Sequence, residues 1–408
     1  MFYRGIRVLD PVVNRDAVVC AELCNGVWRE VREEDCPPTA EDGSGLILAP
    51  GLWDVHVHFR DPGNPDAETT ESGLAAAEAG GFRHVVTMPN TTPACDNAAQ
   101  VASQRGNDVV ELMPSACITQ GRSGSDAVDF SALAAAGAVA FTDDGSYVSS
   151  DLAMREAMVF AAAAGLPVMD HAVVPEIAGG GVIRQCDLAQ RAGLKMFPDE
   201  AEVSAAKRDI SLCEETGVRL DIQHVSSAMT VQLIREAKRR GVQVTGEATP
   251  HHLALCTDDI TEDDAMRFKM NPPLGTKADM LEIRRGVLDG TLSLFATDHA
   301  PHTALTKQKG FASAPFGIIG LETALGVTWR VMVEECGMSA LDFIRRWTQG
   351  PAELLGRRCG SVFGGRPNDY VLIDTRGPFR VEADDFKSRS RNCPFAGWNL
   401  PVRAIGVL

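Results

Sequence analysis

Polar and apolar residues alternate strictly along Leu52-Trp53-Asp54-Val55-His56-Val57-His58-Phe59-Arg60. In an extended chain Trp53, Val55, Val57 and Phe59 share one face, while Asp54, His56, His58 and Arg60 share the other. His56 and His58 therefore project side by side, with a cation just beyond them. Two imidazoles so placed can grip one metal ion.

Downstream, short runs rich in Val, Ile and Phe alternate with longer Ala-rich stretches of helical period. The runs predict strands at 52–58, 83–88, 109–116, 137–142, 166–170, 218–224, 242–247 and 292–297. Helices fall near 69–80, 97–105, 126–136, 151–164, 201–216, 228–240 and 277–288, with a last one at 320–335. Eight strand–helix units close most naturally as an α/β fold, a (β/α)8 TIM barrel over residues 50–356. The rhythm is absent at both ends. Ile6–Leu9, Ala17–Cys20 and Val27–Trp28 read as short strands, and so do Gly360–Val362, Asp369–Asp374 and Val402–Ala404. Residues 1–49 and 357–408 are expected to pair as one small β-sandwich domain built from both termini.

The strand ends carry the chemistry. They hold His56-x-His58-x-Arg60, Met88-Pro89-Asn90, Asp143-Asp144-Gly145, Asp170-His171 and Gln223-His224. His251-His252, Asn271-Pro272-Pro273 and Asp298-His299-Ala300-Pro301-His302 follow the last two strands. In such a barrel these ends converge on one mouth. Of nine histidines, only His84 lies outside them.

Zinc favours imidazole nitrogen and carboxylate oxygen, with an open position at catalytic sites. His56, His58, Asp144, His171, His224 and Asp298 are six candidate ligands. That is too many for one open zinc and right for two sharing a bridge, for which Asp144 is the choice. A water held between two cations loses a proton near neutral pH and becomes a nucleophile. Asp298 can in addition shuttle that proton to a leaving nitrogen. Plainer roles fit the neighbours: Asp143 holds a turn, His251 and His252 support the ligands from behind, His299 packs, and Asp263-Asp264 is a solvated acidic loop.

Composition narrows the class. A formal net charge of −16 argues against a nucleic-acid or anionic-membrane surface. The eleven cysteines are scattered without a CxxC pair, as expected of reduced thiols in a cytoplasmic protein. The N-terminus lacks the apolar core of a signal peptide, and no apolar run is long enough to span a membrane.

The motifs Asp54-Val-His-Val-His-Phe-Arg-Asp-Pro-Gly63, Thr87-Met-Pro-Asn-Thr91, Phe141-Thr-Asp-Asp-Gly145, Lys269-Met-Asn-Pro-Pro-Leu274, Thr297-Asp-His-Ala-Pro-His302, Pro315-Phe-Gly-Ile-Ile-Gly-Leu-Glu-Thr323 and Asn392-Cys-Pro-Phe-Ala-Gly397 together resemble type I dihydroorotase, a branch of the amidohydrolase superfamily. The resemblance runs to about residue 400 in unbroken motif order. It implies reversible cyclisation of N-carbamoyl-L-aspartate to L-dihydroorotate in pyrimidine biosynthesis. It also implies two zinc ions: His56, His58 and Asp298 on one, His171 and His224 on the other, Asp144 bridging. Many superfamily members bridge with a carboxylated lysine, but no lysine ends the fourth strand here. Arg60, Asn90 and His302 would hold the substrate α-carboxylate with His58 nearby, and Asn271 with Phe316 and Gly317 would read the ring amide.

Physics agrees with these roles, since a guanidinium fork suits a carboxylate and an asparagine suits both edges of an amide. Residues 303–314 are expected to form a mobile flap that excludes water. Where the family usually has Cys-Glu-Asp after the fifth-strand histidine, this chain has Ala172-Val173-Val174, and the loop through Gly179–Gly181 to Pro198 is also atypical. Competing readings are another cyclic-amide hydrolase, such as a hydantoinase or allantoinase, and a non-catalytic scaffold for aspartate transcarbamoylase. The aspartate bridge and Arg60 weigh against the first, and the complete ligand set against the second. A homodimer, and an active enzyme that also binds the transferase, complete the expectations.

Overall fold

The computed structural model describes residues 1–406; Val407 and Leu408, the end of the expected 357–408 stretch, lie outside the described residues. The strands Leu52–Val57, Phe82–Thr87 and Glu111–Pro114 pair in parallel. A second parallel run holds Pro167–Asp170, Arg219–Ile222, Val244–Ala248 and Leu294–Phe295. Single bridges close the ring: Ala116 to Phe141, Phe141 to Val168, and Val57 to His299. The expected fourth strand is thus reduced to Phe141. Gly137 (φ +111°) and Gly145 (φ +76°), both left-handed, bracket it and leave little extended chain to pair.

The predicted helices are all present, among them Thr70–Ala79, Asp151–Ala164, Glu200–Thr216, Ala228–Arg239 and Lys277–Leu288. Thr69, Ser150 and Thr276 cap three of them by accepting from backbone N–H groups of the first turn. The last helix, Leu321–Thr328, continues as a π-helical stretch, Trp329–Glu335.

The opening alternation is broken in the middle. The register of Leu52–Val57 against its neighbour slips between Asp54 and Val57. Trp53 and Val55 pack with Val86, Met88, Met113 and Met169 inside the barrel, whereas Val57 and Phe59 join the layer between strands and helices. Asp54 marks the irregularity: its Oδ1 accepts from the N–H groups of His56 and Thr297.

Both termini build one further mixed sheet, in the order 403–405, 370–374, 46–50, 2–10, 15–24, 27–31, with 41–42 beside 2–10. Its core holds Ile6, Val8, Trp28, Leu48, Tyr370 and Leu372. The molecule is therefore a (β/α)8 barrel with a β-sandwich domain drawn from both ends. Val381, Cys393 and Phe395 return to the barrel and pack with Phe268, Phe311 and Ile318.

Candidate active site

A cavity of about 210 Å³ opens at the C-terminal mouth of the barrel. His58, Arg60, Asn90, Asp144, His171, His224, Asn271, Asp298, His302, Phe316 and Gly317 line it, so every residue expected at the site reaches it except His56, which is buried directly beneath. Asp144 is the hub. Its Oδ1 lies 3.3 Å from His56 Nε2, 3.6 Å from His171 Nδ1 and 3.8 Å from His224 Nε2, and its Oδ2 lies 3.4 Å from His58 Nε2. Burial alone would raise this carboxyl; the His56 and His58 rings overcome it and hold it well below the ordinary range.

The neighbouring aspartates divide the work. Asp143 accepts from the N–H groups of Ile118 and Thr119 and from the Thr119 hydroxyl, fixing the loop after the third strand. Asp144 is left to face the histidines. Arg122 steadies it from outside, donating to its backbone carbonyl at 2.6 Å. Asp298 completes the cluster, with Oδ1 at 3.1 Å from His58 Nε2 and 3.5 Å from His56 Nε2.

Two groups of donors fit a cation: His56, Asp144 and His224, and His56, His58 and Asp298, each with ligand atoms within 4.8 Å of one another. His56 Nε2 and His224 Nδ1 are buried without a hydrogen-bond partner, as expected of atoms that serve a metal. Nitrogen and carboxylate oxygen suit a borderline divalent ion. His171 lies outside both groups; its Nδ1 is 2.7 Å from His224 Nε2 and its Nε2 accepts from Asn271 Nδ2 at 3.0 Å.

The expected substrate residues divide by what they already hold. Arg60 Nε donates to Pro301 O at 3.2 Å, and burial lowers the guanidinium to about 10, so it stays charged. Asn90 Oδ1 accepts from His58 Nδ1 at 2.9 Å, which gives Asn90 a share in orienting a candidate ligand. Asn271 Oδ1 is buried and free. His302 differs from expectation: its Nε2 lies 2.6 Å from the Phe316 carbonyl and donates to it. Burial, then Arg60 and Lys307, lower the ring to about 3, so His302 is neutral and its one N–H is occupied. Gly317 sits at φ +129°, and a β-carbon there would meet Ala300 O at 2.7 Å.

Several contacts at the site were not read from the sequence. Glu247 lies behind His56. Gln223 Nε2 approaches Met88 Sδ at 3.2 Å. Lys307 is fully buried and donates to Lys269 O at 2.8 Å, Pro315 O at 3.1 Å and Gly317 O at 2.8 Å. Glu247 had a legible signal, a charge inside an otherwise uncharged buried strand; Lys307 had none. The 303–314 segment is seated accordingly, with Phe311 buried and its N–H held by Asp263 at 2.7 Å. Asp263 is exposed, as expected of a solvated loop, and also holds Phe311 N–H; half-buried Asp264 accepts from the N–H groups of Met266 and Arg267. His252 binds Pro272 O and His299 accepts from Gly320 N–H, as supporting and packing roles require.

Residues 45–230 match the family described as "Dihydro-orotase-like". A dihydroorotase of Geobacillus kaustophilus is 42% identical over 374 residues, covering 90% of this chain and 86% of its own. One of Syntrophotalea carbinolica is 44% identical, covering 98% and 95%. Among solved structures, an L-hydantoinase of Arthrobacter aurescens superposes with a TM-score of 0.85 at 22% identity, covering 99% of this chain and 93% of that one. A dihydropyrimidinase of Brevibacillus agri gives 0.84 at 21%, covering 100% and 93%. The structural likeness shows the barrel and its β domain; the sequence likeness, held over nearly the whole chain, goes further. The chain belongs to the dihydroorotase family, cyclic-amide hydrolases of the amidohydrolase superfamily.

Proposed function

We propose that this chain interconverts N-carbamoyl-L-aspartate and L-dihydroorotate, releasing water on ring closure, as a step of pyrimidine biosynthesis. His56, His58 and Asp298 would hold one zinc ion and His171 and His224 a second, with the Asp144 carboxylate within reach of both. When bound, such metal ions would supply polarisation of the amide carbonyl and a more acidic water. The observation that carries the proposal is Asp144, whose one carboxylate touches all four histidines where a lysine bridge would otherwise stand.

The chain's own residues supply the rest. Asp298, on the cavity wall, takes the proton from water in the hydrolytic direction and returns it to the departing ring nitrogen. Among the described residues that line the cavity Arg60 is the one arginine, its fork matched to the substrate's α-carboxylate. Asn90 and His58 stand beside it, and His302 contributes once its N–H leaves the Phe316 carbonyl. Asn271 Oδ1 accepts from the ring N–H, and the backbone at Phe316 and Gly317 borders the same edge. The seated 303–314 segment limits water.

The test is the rate of dihydroorotate hydrolysis and carbamoyl-aspartate cyclisation by protein of measured metal content. Faster turnover of hydantoin or allantoin than of dihydroorotate refutes the substrate; absence of both activities at two metals per chain refutes the enzyme. The proposal extends to a homodimer, to association with aspartate transcarbamoylase and to a cytoplasmic setting. Eleven free cysteines accord with that setting, and no helix among the described residues is long and apolar enough to cross a membrane. Light scattering, alone and with the transferase added, tests the assembly.

A further inference from the structure

Behind the cluster lies a carboxylate that takes no part in the proposed reaction. Glu247 stands on the Val244–Ala248 strand, fully buried. Its Oε2 meets two groups at once: His56 Nδ1 at 2.8 Å and the backbone N–H of His224 at 2.9 Å. A backbone amide can only donate, so Oε2 is an acceptor there. A protonated carboxyl oxygen accepts poorly, so the hydrogen of the other contact belongs to His56 Nδ1. That tautomer leaves Nε2 of His56 bare. Nε2 is the buried, unpartnered ring atom, 3.3 Å from Asp144 and 3.5 Å from Asp298.

The same oxygen restrains the other half of the site. His224 has φ +37°, a left-handed conformation that a residue with a β-carbon adopts only under restraint. The hydrogen bond from its N–H to Glu247 supplies one. His58, by contrast, is oriented separately, by Asn90. His56 sits in both candidate metal groups and His224 in one, so Glu247 is the common support of the two.

We propose that Glu247 is a positioning residue shared by both metal positions. It fixes the Nδ1–H tautomer of His56 and the backbone of His224, and metal retention at both positions depends on it. The proposal rests on the metal-dependent reading above. Loss of such an outer partner typically lowers metal affinity about 10–100-fold.

The test compares wild type, Glu247→Leu and Glu247→Gln. Leucine removes the acceptor at similar volume; glutamine can turn its oxygen to both donors and its amide away. Zinc affinity is measured by competition with a chromophoric chelator, and the His56 tautomer by ring 15N shifts of the zinc-loaded wild type. The expected result is Nδ1–H at His56, a drop of about 10–100-fold in affinity for both metals in the leucine variant, and near-wild-type binding in the glutamine variant. Excess zinc should restore kcat to the leucine variant. An Nε2–H tautomer in the wild type overturns the proposal even if the leucine variant does not fold. So does a leucine variant that keeps both metals, or loses only one. A wild type that binds no divalent metal overturns the metal reading as well, so the two failures are distinguishable.

Discussion

Lys307 offers the sharpest test of how the pocket wall is held. The residue is 1% exposed, and its Nζ donates to the carbonyls of Lys269, Pro315 and Gly317. Burial first, then the Lys269 ammonium, lower it from 10.5 to about 7, against the pull of Asp264. The other charged groups nearby are Asp263, which holds Phe311 N–H, and His302, which is neutral. In the unfolded chain the lysine titrates near 10.5, so between about 7 and 10.5 the unfolded state binds more protons. Stability then rises with pH across that window. The full span is 10.5 − 7 = 3.5 pH units, or at most about 5 kcal/mol at about 1.36 kcal/mol per unit. Three carbonyl acceptors favour the ammonium, so the rise sets in at or above pH 7. In Lys307→Met the rise disappears, but three buried carbonyls lose a donor, at about 1–3 kcal/mol each. Near pH 7 the lost carbonyl bonds and the relieved burial of charge largely offset each other. At pH 9 the variant should trail the wild type by a further ~1–3 kcal/mol. Urea unfolding of both metal-loaded proteins at pH 7, 8 and 9, followed by tryptophan fluorescence, measures the difference directly. Parallel stability–pH curves would refute the reasoning. A loosened Gly317 should also raise KM more than it lowers kcat.

Three further outcomes are expected. Asp298→Ala should reduce both directions of the reaction by about 10²–10⁴-fold while His58, His56 and Asp144 still retain metal, read by steady-state rates beside metal analysis. Gly317→Ala should lower activity and cost about 1–3 kcal/mol, because its β-carbon meets Ala300 O in a left-handed backbone; an unchanged melting temperature and KM would contradict this. At the opposite end of the barrel, His84 lies between Glu111 at 2.9 Å and Asp369 at 3.0 Å. Burial opposes its charge, but the two carboxylates raise its pKa overall. The stability it contributes is full below the ordinary histidine range and lost as pH rises through the raised value. Glu111, lowered to about 2 by His84, contributes above the ordinary carboxylate range and loses its share as pH falls toward that value. His84→Gln should flatten the alkaline side of the stability curve, and a melting-temperature profile unchanged in shape would sink the assignment.

The barrel was legible because each strand–helix unit repeats a local pattern that burial on one face enforces. The site was legible because barrel topology sends all strand ends to one mouth, so residues 240 positions apart, such as His58 and Asp298, could be placed together. What escaped was whatever depends on a slip, a bend or a long-range contact. The alternation at 52–60 looks uninterrupted in sequence, yet a register slip divides its apolar face between two cores. The fourth strand reads as apolar but shrinks to Phe141 between two left-handed glycines. Glu247 and Lys307 act through partners 191 and up to 38 residues away in the chain. Asp263 is exposed as its acidity suggests, but the contact with Phe311 N–H, 48 residues away, was not legible.

The same slips and bends explain how an ordinary scaffold presents so dense a cluster. Among the described residues, seven other than glycine have positive φ. Three are asparagines, which tolerate that region in turns. The other four are Arg60, Arg122, His224 and Asp298, and all four border the cavity or hold Asp144. A regular strand would send alternate side chains to opposite faces and spread its donors 6–7 Å apart, roughly two strand rises. Turning the chain left-handed at its end draws a donor inward instead. Each such residue is strained by about 1–3 kcal/mol and persists only where neighbours restrain it. The restraints are on hand: Glu247 on His224 N–H, Pro301 O on Arg60, and the paired histidines on Asp298. Strain is concentrated where ligand atoms converge, and the His224 backbone is restrained by Glu247, a carboxylate behind the site.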